Sequence, residues 1–244
     1  MNLNKLTNEP HDWFSVKSAD RGEPAELFIY DQIGSSMWED GVTPASLIDE
    51  IKSLKMKDKD TLSIRINSPG GNMFDGNTIY NYLRSMKQNI DVTIDGMAAS
   101  AASIIAMAGD TIRMPENSFL MIHNPWMVVA GDSQVMRKTA DDLDVMRDGA
   151  VKTYLSKTGG KVSKDELITM LDEETWLGAE LAVELGFADE VLEPVRAAAL
   201  FDVSNYFNNV PDAISHMEER NKRAQQRATL AAHKGLSTTD RANK

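Results

Sequence analysis

Apolar positions in this chain come in short bursts whose spacing alternates between two periods. Glu26-Leu27-Phe28-Ile29-Tyr30 is a compact run that reads as a strand, and the Gly34-Ser35-Ser36 turn follows it. Pro44 then precedes Leu47, Ile48, Ile51 and Leu54, whose spacings of three, four and seven describe one face of a helix opened by proline. Leu62-Ser63-Ile64-Arg65-Ile66 alternates apolar with polar, as a strand does, and stops at Asn67-Ser68-Pro69-Gly70-Gly71. Phe74, Ile79, Tyr82, Leu83 and Met86 predict a second helix, residues 90–94 a strand, and residues 100–108 a short helix of small residues. Strand, glycine turn and helix thus occur twice. That alternation predicts a mostly parallel sheet with helices packed on it, in which sites gather at the carboxyl ends of the strands.

The pattern continues with strands over residues 111–114 and 118–122, the second delivering His123 at its end. Asp132-Ser133 caps a helix running to about Ser156, with Val135, Leu143, Met146, Val151, Tyr154 and Leu155 as its apolar members. At that length it is expected to project from the body. Ser163-Lys164-Asp165-Glu166 is a capping-box pattern ahead of Leu167, Ile168 and Leu171. A last helix, residues 179–185, ends at Gly186, and residues 187–192 are expected to return to the sheet. Residues 1–23 lack apolar periodicity and read as an arm, residues 24–194 as one main domain, and residues 195–244 as an extension, partly helical or disordered. Within that extension, residues 213–233 are helix-prone but have too few apolar positions to bury a face alone.

Composition narrows the classes. With 42% hydrophobic and 26% charged residues over 244 positions, the chain has the balance of a globular protein with one substantial core. The absence of cysteine excludes disulfides, thiolate metal sites and a cysteine nucleophile. A net charge of −11 argues against a nucleic-acid backbone as the main partner. The charge is uneven: from Val195 onward there are eight basic and five acidic side chains, net +3, leaving −14 on the preceding residues. The polar N-terminus has no apolar core of a signal peptide and no apolar run is long enough to span a bilayer, so the expected location is cytoplasmic, with no membrane partner.

The candidate chemistry centres on Gly96-Met97-Ala98-Ala99-Ser100-Ala101-Ala102-Ser103, which sets a hydroxyl among residues too small to hide it where a strand gives way to a helix. Twenty-three residues later comes His123, the one histidine placed between strongly apolar segments. A serine nucleophile needs a base within hydrogen-bond reach, and an imidazole with an ordinary pKa near 6.5 suits neutral pH. Taken singly, these features have ordinary readings: Ser100 as a small packing residue, His123 as a buried histidine, Gly70-Gly71 as a turn, and Asp172, Glu173 and Glu174 as a solvated acidic cluster. Together they are the parts of a Ser-His-carboxylate triad and its oxyanion hole. The chain has no G-x-S-x-G elbow and no H-E-x-x-H, and Gly159-Gly160-Lys161 is followed by Val162 where a P-loop needs Ser or Thr. No metal or cofactor is therefore expected. Asp141, Asp144 and Asp148 form an acidic stripe on the long helix that reads as solvated or inter-subunit.

Asn67-Ser68-Pro69-Gly70-Gly71, Gly96-Met97-Ala98-Ala99-Ser100, Met121-Ile122-His123-Asn124-Pro125 and residues 181–189 occur in the order and spacing of the Clp protease proteolytic subunit (ClpP) family. The chain resembles that family over residues 26–193. Its Glu174-Thr175-Trp176, its His123-Asn124-Pro125-Trp126 and its charged C-terminal extension are similar to those of the phage and prophage head-maturation branch. The resemblance implies a ClpP/crotonase-like spiral of ββα units, with a mostly parallel sheet, flanking helices and a projecting handle helix. It implies Ser100 as nucleophile, His123 as general base, and the backbone N–H groups of Gly71 and Ala101 as oxyanion hole, with Gly70 allowing the tight turn. By position the third member is Glu174, one methylene longer than the family's aspartate, with Asp172 as the alternative. Asn72 and Met73, and Asn124 and Pro125, correspond to the two edges between which the family holds an extended polypeptide.

The implied protein is a serine endopeptidase that assembles into a homo-oligomer, expected to be a ring, and acts in phage capsid or scaffold maturation or in Clp-like proteolysis. If phage-encoded, it would sit in the host cytoplasm or in a virion precursor, with capsid or scaffold proteins as partners. The family's pore-lining N-terminal segment has no counterpart in residues 1–23, so coupling to an ATPase is not implied. Two other readings stay open at this point. One is a crotonase-type acyl-CoA enzyme, which shares the spiral fold and needs no Ser-His pair; the other is a non-catalytic scaffolding component.

Overall fold

Nearly every apolar burst between residues 25 and 192 forms an element at the expected place in the computed structural model, which describes residues 24–34, 41–193, 207 and 209–211 and the backbone of 16–17. β1 (Val16–Lys17) pairs antiparallel with β2 (Ala25–Ile29). α1 (Pro44–Ser53) starts on Thr43, whose Oγ1 accepts the Ser46 N–H at 3.2 Å, and buries Leu47 and Ile51. β3 (Thr61–Ser68) leads to α2 (Met73–Ser85), and β4 (Asn89–Ala99) to α3 (Ala101–Ala106). β5 (Thr111–Pro115) and β6 (Phe119–Ile122) precede α4 (Ser133–Thr158), α5 (Lys164–Asp172), β7 (Thr175–Gly178), α6 (Ala179–Glu184) and β8 (Glu190–Leu192).

Among the described residues the eight strands form one sheet with the path β1-β2-β3-β4-β5-β8. Every pairing from β2 to β8 along that path is parallel. β6 leaves the path: it runs parallel to β4 and antiparallel to β7. The alternating side chains of β2, β3 and β4, among them Leu27, Ile29, Leu62, Ile64, Ile66, Val92 and Ile94, are fully buried. Each such side chain contributes roughly 1.5–3 kcal/mol relative to exposure.

Three departures from the sequence reading matter for the site. β4 does not end at Ile94 but continues through Gly96 and Met97 to Ala99. Its first half pairs with β5 through Asp91–Thr93, and its last three residues pair with β6 through Phe119–Met121. That second ladder, with Ala98 and Ala99 wholly buried, overrides the weak strand preference of small residues. α3 is correspondingly confined to residues 101–106. Residues 175–178, to which the apolar pattern assigns no element, form β7, because an antiparallel ladder to β6 is available from Thr175 to Gly178. The return to the sheet starts at Glu190, later than expected, since Phe187 is instead buried against the Tyr154 ring at a centroid distance of 5.9 Å.

α4 has two distinct ends. Asp132 Oδ1 caps it by accepting the N–H groups of Gln134 and Val135, at 2.9 and 3.0 Å. Its buried residues, Ala150, Val151, Tyr154 and Thr158, all lie in the C-terminal part, while Val135, Met136 and Val145 are exposed. The chain divides into two compact units, residues 1–199 and 200–244. The expectation for the extension beyond residue 194 falls almost wholly outside the described residues. Among the described residues no helix is long and apolar enough to cross a membrane.

Candidate active site

The end of β4 delivers Ser100 in a backbone conformation that side chains avoid, with φ 53° and ψ −124°. Such conformations cost on the order of 1–3 kcal/mol and persist where the surroundings over-determine them. Here they do. The Ser100 N–H donates to the Met121 carbonyl at 3.0 Å, continuing the β4–β6 ladder by one residue. Its carbonyl accepts the N–H of Ser103 at 2.9 Å, the first turn of α3. The strand-to-helix switch therefore turns the Ser100 side chain out of both elements, and leaves it half-buried.

β6 carries His123 just past its end, and the pairing of Ala99 with Met121 fixes how far that end lies from Ser100. His123 Nε2 is 2.7 Å from Ser100 Oγ, a hydrogen bond between residues 23 apart in sequence. Burial pushes the His123 pKa below its ordinary value, and the negative charge of Glu174 acts in the opposite sense. The ring is thus held mainly neutral near pH 7, the form in which Nε2 can accept the serine proton.

The Asn67–Gly71 loop closes over the same turn. Asn67 and Ser68 are buried: Asn67 Oδ1 accepts the Met97 N–H at 3.1 Å, and Ser68 Oγ accepts the Gly70 N–H at 3.1 Å while donating to the Asp31 carbonyl. Gly70 has φ 92°, and a Cβ there would lie 2.5 Å from the Ala99 oxygen and 2.7 Å from Ser100 Cβ. At Gly71, with φ 144°, a Cβ would lie 2.2 Å from the Ile33 oxygen. Both positions require glycine. The Ile33 N–H donates to the Gly70 carbonyl at 2.7 Å and the Asn72 N–H to the Ile33 carbonyl at 2.8 Å, so neither bond uses the Gly71 N–H. The Ala101 N–H is the first of α3, where no preceding helical carbonyl is available to it.

The two carboxylates are separated by their contacts. Asp172, exposed at the end of α5, accepts Asn124 Nδ2 on Oδ1 at 2.7 Å, and the Asn124 N–H donates to the Leu171 carbonyl at 3.2 Å. Glu174 is half-buried with φ 55°, in a turn closed by the Thr175 hydroxyl on the Met170 carbonyl at 2.7 Å, and it is the carboxylate whose charge is felt by His123. Of the expected peptide-contact residues, Asn72 caps α2 through Oδ1, accepting the N–H groups of Phe74 and Asp75 at 2.9 and 3.2 Å. Met73 is the first residue of α2 and partly buried; Pro125 is half-buried beside the exposed Trp126 and Met127. Two members of the acidic stripe on α4 are ion-paired: Asp144 with Arg147 of the same helix at 3.0 Å and Asp148 with Lys164 of α5 at 3.7 Å.

Sequence reasoning passed over Asn67 and Ser68 as individual contributors. Their signal was their place in the motif, two polar residues directly ahead of Pro69-Gly70-Gly71 at a strand's end.

The sheet with its flanking helices is the ClpP-like α/β architecture. A solved structure of a ClpP1 mutant from Listeria monocytogenes superposes with a TM-score of 0.58 over 69% of this chain and 91% of that one, at 24% identity. The Clp protease family model matches residues 25–195, more than two thirds of the sequence, and the chain belongs to that family. Among curated relatives, the ATP-dependent Clp protease proteolytic subunit 1 of Protochlamydia amoebophila (strain UWE25) is 28% identical over 187 residues, which cover 72% of this chain and 86% of that protein. The family is one of peptidases that form oligomeric rings and cleave polypeptides.

Proposed function

We propose that the protein is a serine endopeptidase in which Ser100 is the nucleophile, His123 the general base and Glu174 the orienting carboxylate. The observation that carries this reading is the 2.7 Å contact between Ser100 Oγ and His123 Nε2, made beside a glycine loop that only glycine can form. Ser100 Oγ attacks the scissile carbonyl carbon as His123 Nε2 takes its proton, and the carbonyl electrons move onto an oxygen facing the N–H groups of Gly71 and Ala101. Collapse breaks the C–N bond, and His123 returns the proton to the leaving amine. Water then attacks the acyl-enzyme and gives its proton to His123, which passes it to Ser100 Oγ as the ester bond breaks and the acid is released. Glu174 offsets the cost of forming an imidazolium in a buried position, the same opposition of effects that sets the His123 pKa.

An extended polypeptide would lie between residues 71–73 and 124–125, using backbone hydrogen bonds that tolerate variable side chains. The working assembly is a homo-oligomeric ring. On the likeness of the Glu174-Thr175-Trp176 and His123-Asn124-Pro125-Trp126 segments to the head-maturation branch, the substrates are capsid or scaffold proteins. A fluorophosphonate probe tests the chemistry: the wild type is expected to be labelled once per chain at Ser100, and Ser100→Ala to give neither labelling nor peptide hydrolysis. Labelling that survives Ser100→Ala would remove the assignment. Hydrolysis that survives it would point instead to acyl chemistry run by the backbone N–H pair alone. Mass spectrometry of virion proteins incubated with wild type and Ser100→Ala tests the substrate class, with cleavage expected only for the wild type.

A further inference from the structure

The Ser100 carbonyl faces away from the reacting atoms and into the core, where it meets more donors than a helix start normally supplies. It accepts the Ser103 N–H at 2.9 Å and the Ile104 N–H at 3.4 Å, as a helix start does, and in addition the Ser103 hydroxyl at 2.6 Å. Ser103 Oγ is in turn 2.8 Å from the hydroxyl of Tyr154, a wholly buried side chain on α4. The direction of this chain follows from counting hydrogens. A carbonyl only accepts and Ser103 Oγ has one hydrogen, so with that hydrogen on the Ser100 carbonyl, Tyr154 must donate to Ser103. Burial raises the Tyr154 pKa, so the donor keeps its hydrogen throughout the working pH range.

Both hydroxyls are unusual choices for their positions. Ser103 is wholly buried among Ala101, Ala102, Ile104 and Ile105, where alanine would pack as well and would leave no polar atom to satisfy. Tyr154 lies against Phe187, and a phenylalanine would fill the same space. Each hydroxyl is accounted for by the other and by the Ser100 carbonyl. The result is a run of donors, Tyr154 O–H to Ser103 Oγ, then Ser103 O–H to the Ser100 carbonyl oxygen, ending on the residue whose backbone is held at φ 53°.

We propose that Ser103 and Tyr154 are positioning residues for the nucleophile: together they pin the Ser100 carbonyl, and so hold the strained peptide in the orientation that aims Oγ at His123. The inference rests on Ser100 being the nucleophile. Without the relay, the Ser100 peptide can relax toward an ordinary helical conformation, and Oγ leaves the 2.7 Å contact for part of the time. Substrate binding is untouched, because neither hydroxyl faces the peptide groove, so the loss falls on acylation.

The test uses the full-length protein with an exposed-ester peptide substrate and the fluorophosphonate probe, comparing wild type, Tyr154→Phe, Ser103→Ala and the double variant. Tyr154→Phe keeps the ring, so it is the variant least disturbing to folding. Expected are an acylation rate and a kcat lowered about 3- to 10-fold in each single variant, the scale of one hydrogen bond, with KM unchanged. The double variant is expected to fall no further than Ser103→Ala, since the tyrosine acts only through the serine. A merely structural pair would lower the melting temperature and leave the labelling rate of the folded fraction as in the wild type; that outcome overturns the proposal. So do losses that multiply in the double variant, or a change confined to KM. Failure of the nucleophile assignment has a different signature: wild type that does not label, or Ser100→Ala that still does, and in either case the relay falls with it.

Discussion

The two sides of the site are built in opposite ways. Ser100 and the glycine loop are fixed by buried structure: two strand ladders, a helix start, and the side chains of Asn67 and Ser68. The carboxylate side hangs on the end of α5 and the turn into β7, where Asp172 is exposed and Glu174 half-buried. One side is positioned by buried ladders and hydrogen bonds, the other by a turn at the surface. The difference teaches that a nucleophile and oxyanion donors need sub-ångström placement, whereas the electrostatic effect of a carboxylate on an imidazole falls off only gradually with distance.

The largest effect should come from the group that joins the two sides. His123→Ala is expected to lower kcat about 10²- to 10⁴-fold, the range of general base catalysis, in a peptide-hydrolysis assay. Next, Gly70→Ala tests how rigid the nucleophile side is. The new Cβ would press on the Ala99 oxygen and Ser100 Cβ, and displacing the loop should cost about 10²-fold in kcat, as losing an oxyanion donor does. A Gly70→Ala protein with wild-type kcat would break the comparison at its stiff end.

The softer side is tested by Glu174→Gln, expected to lower kcat about 10-fold. The sign of its pH effect is fixed: Glu174 raises the His123 pKa against burial, so its removal moves the acid limb of kcat/KM to lower pH. An unmoved limb would mean that Glu174 is not the carboxylate acting on His123. The smallest effect is expected for Asp172→Ala, which removes an exposed contact to Asn124 away from the Ser100–His123 pair and should change kcat less than about 3-fold. A larger loss in Asp172→Ala than in Glu174→Gln, measured side by side, would exchange their roles.

Much of this was legible in the sequence, for identifiable reasons. The alternation at residues 62–66 and the Pro44 helix start are local signals, and the structure places β3 and α1 there. The proximity of Ser100 and His123 was legible because each ends an element, and ends of neighbouring parallel strands lie together. What was not legible depends on partners distant in sequence. β4 runs on to Ala99 only because β6 is there to pair with Met97–Ala99, and Thr175–Gly178 is a strand only because the other edge of β6 is open. Likewise, nothing local distinguishes Asp172 from Glu174; the distinction comes from the Asn124 amide reaching the first and the charge of the second reaching the imidazole.

The placement of β7 also sets a clock on the ribosome. β7 pairs with β6 alone, and Glu174 enters only with the turn that leads into it. Ser100 is therefore made well before the carboxylate assigned to it in the proposed triad. At about 5–20 residues per second of synthesis, the roughly 75 residues between them delay completion by several seconds. Through that interval a nascent chain would carry the proposed nucleophile without the proposed carboxylate.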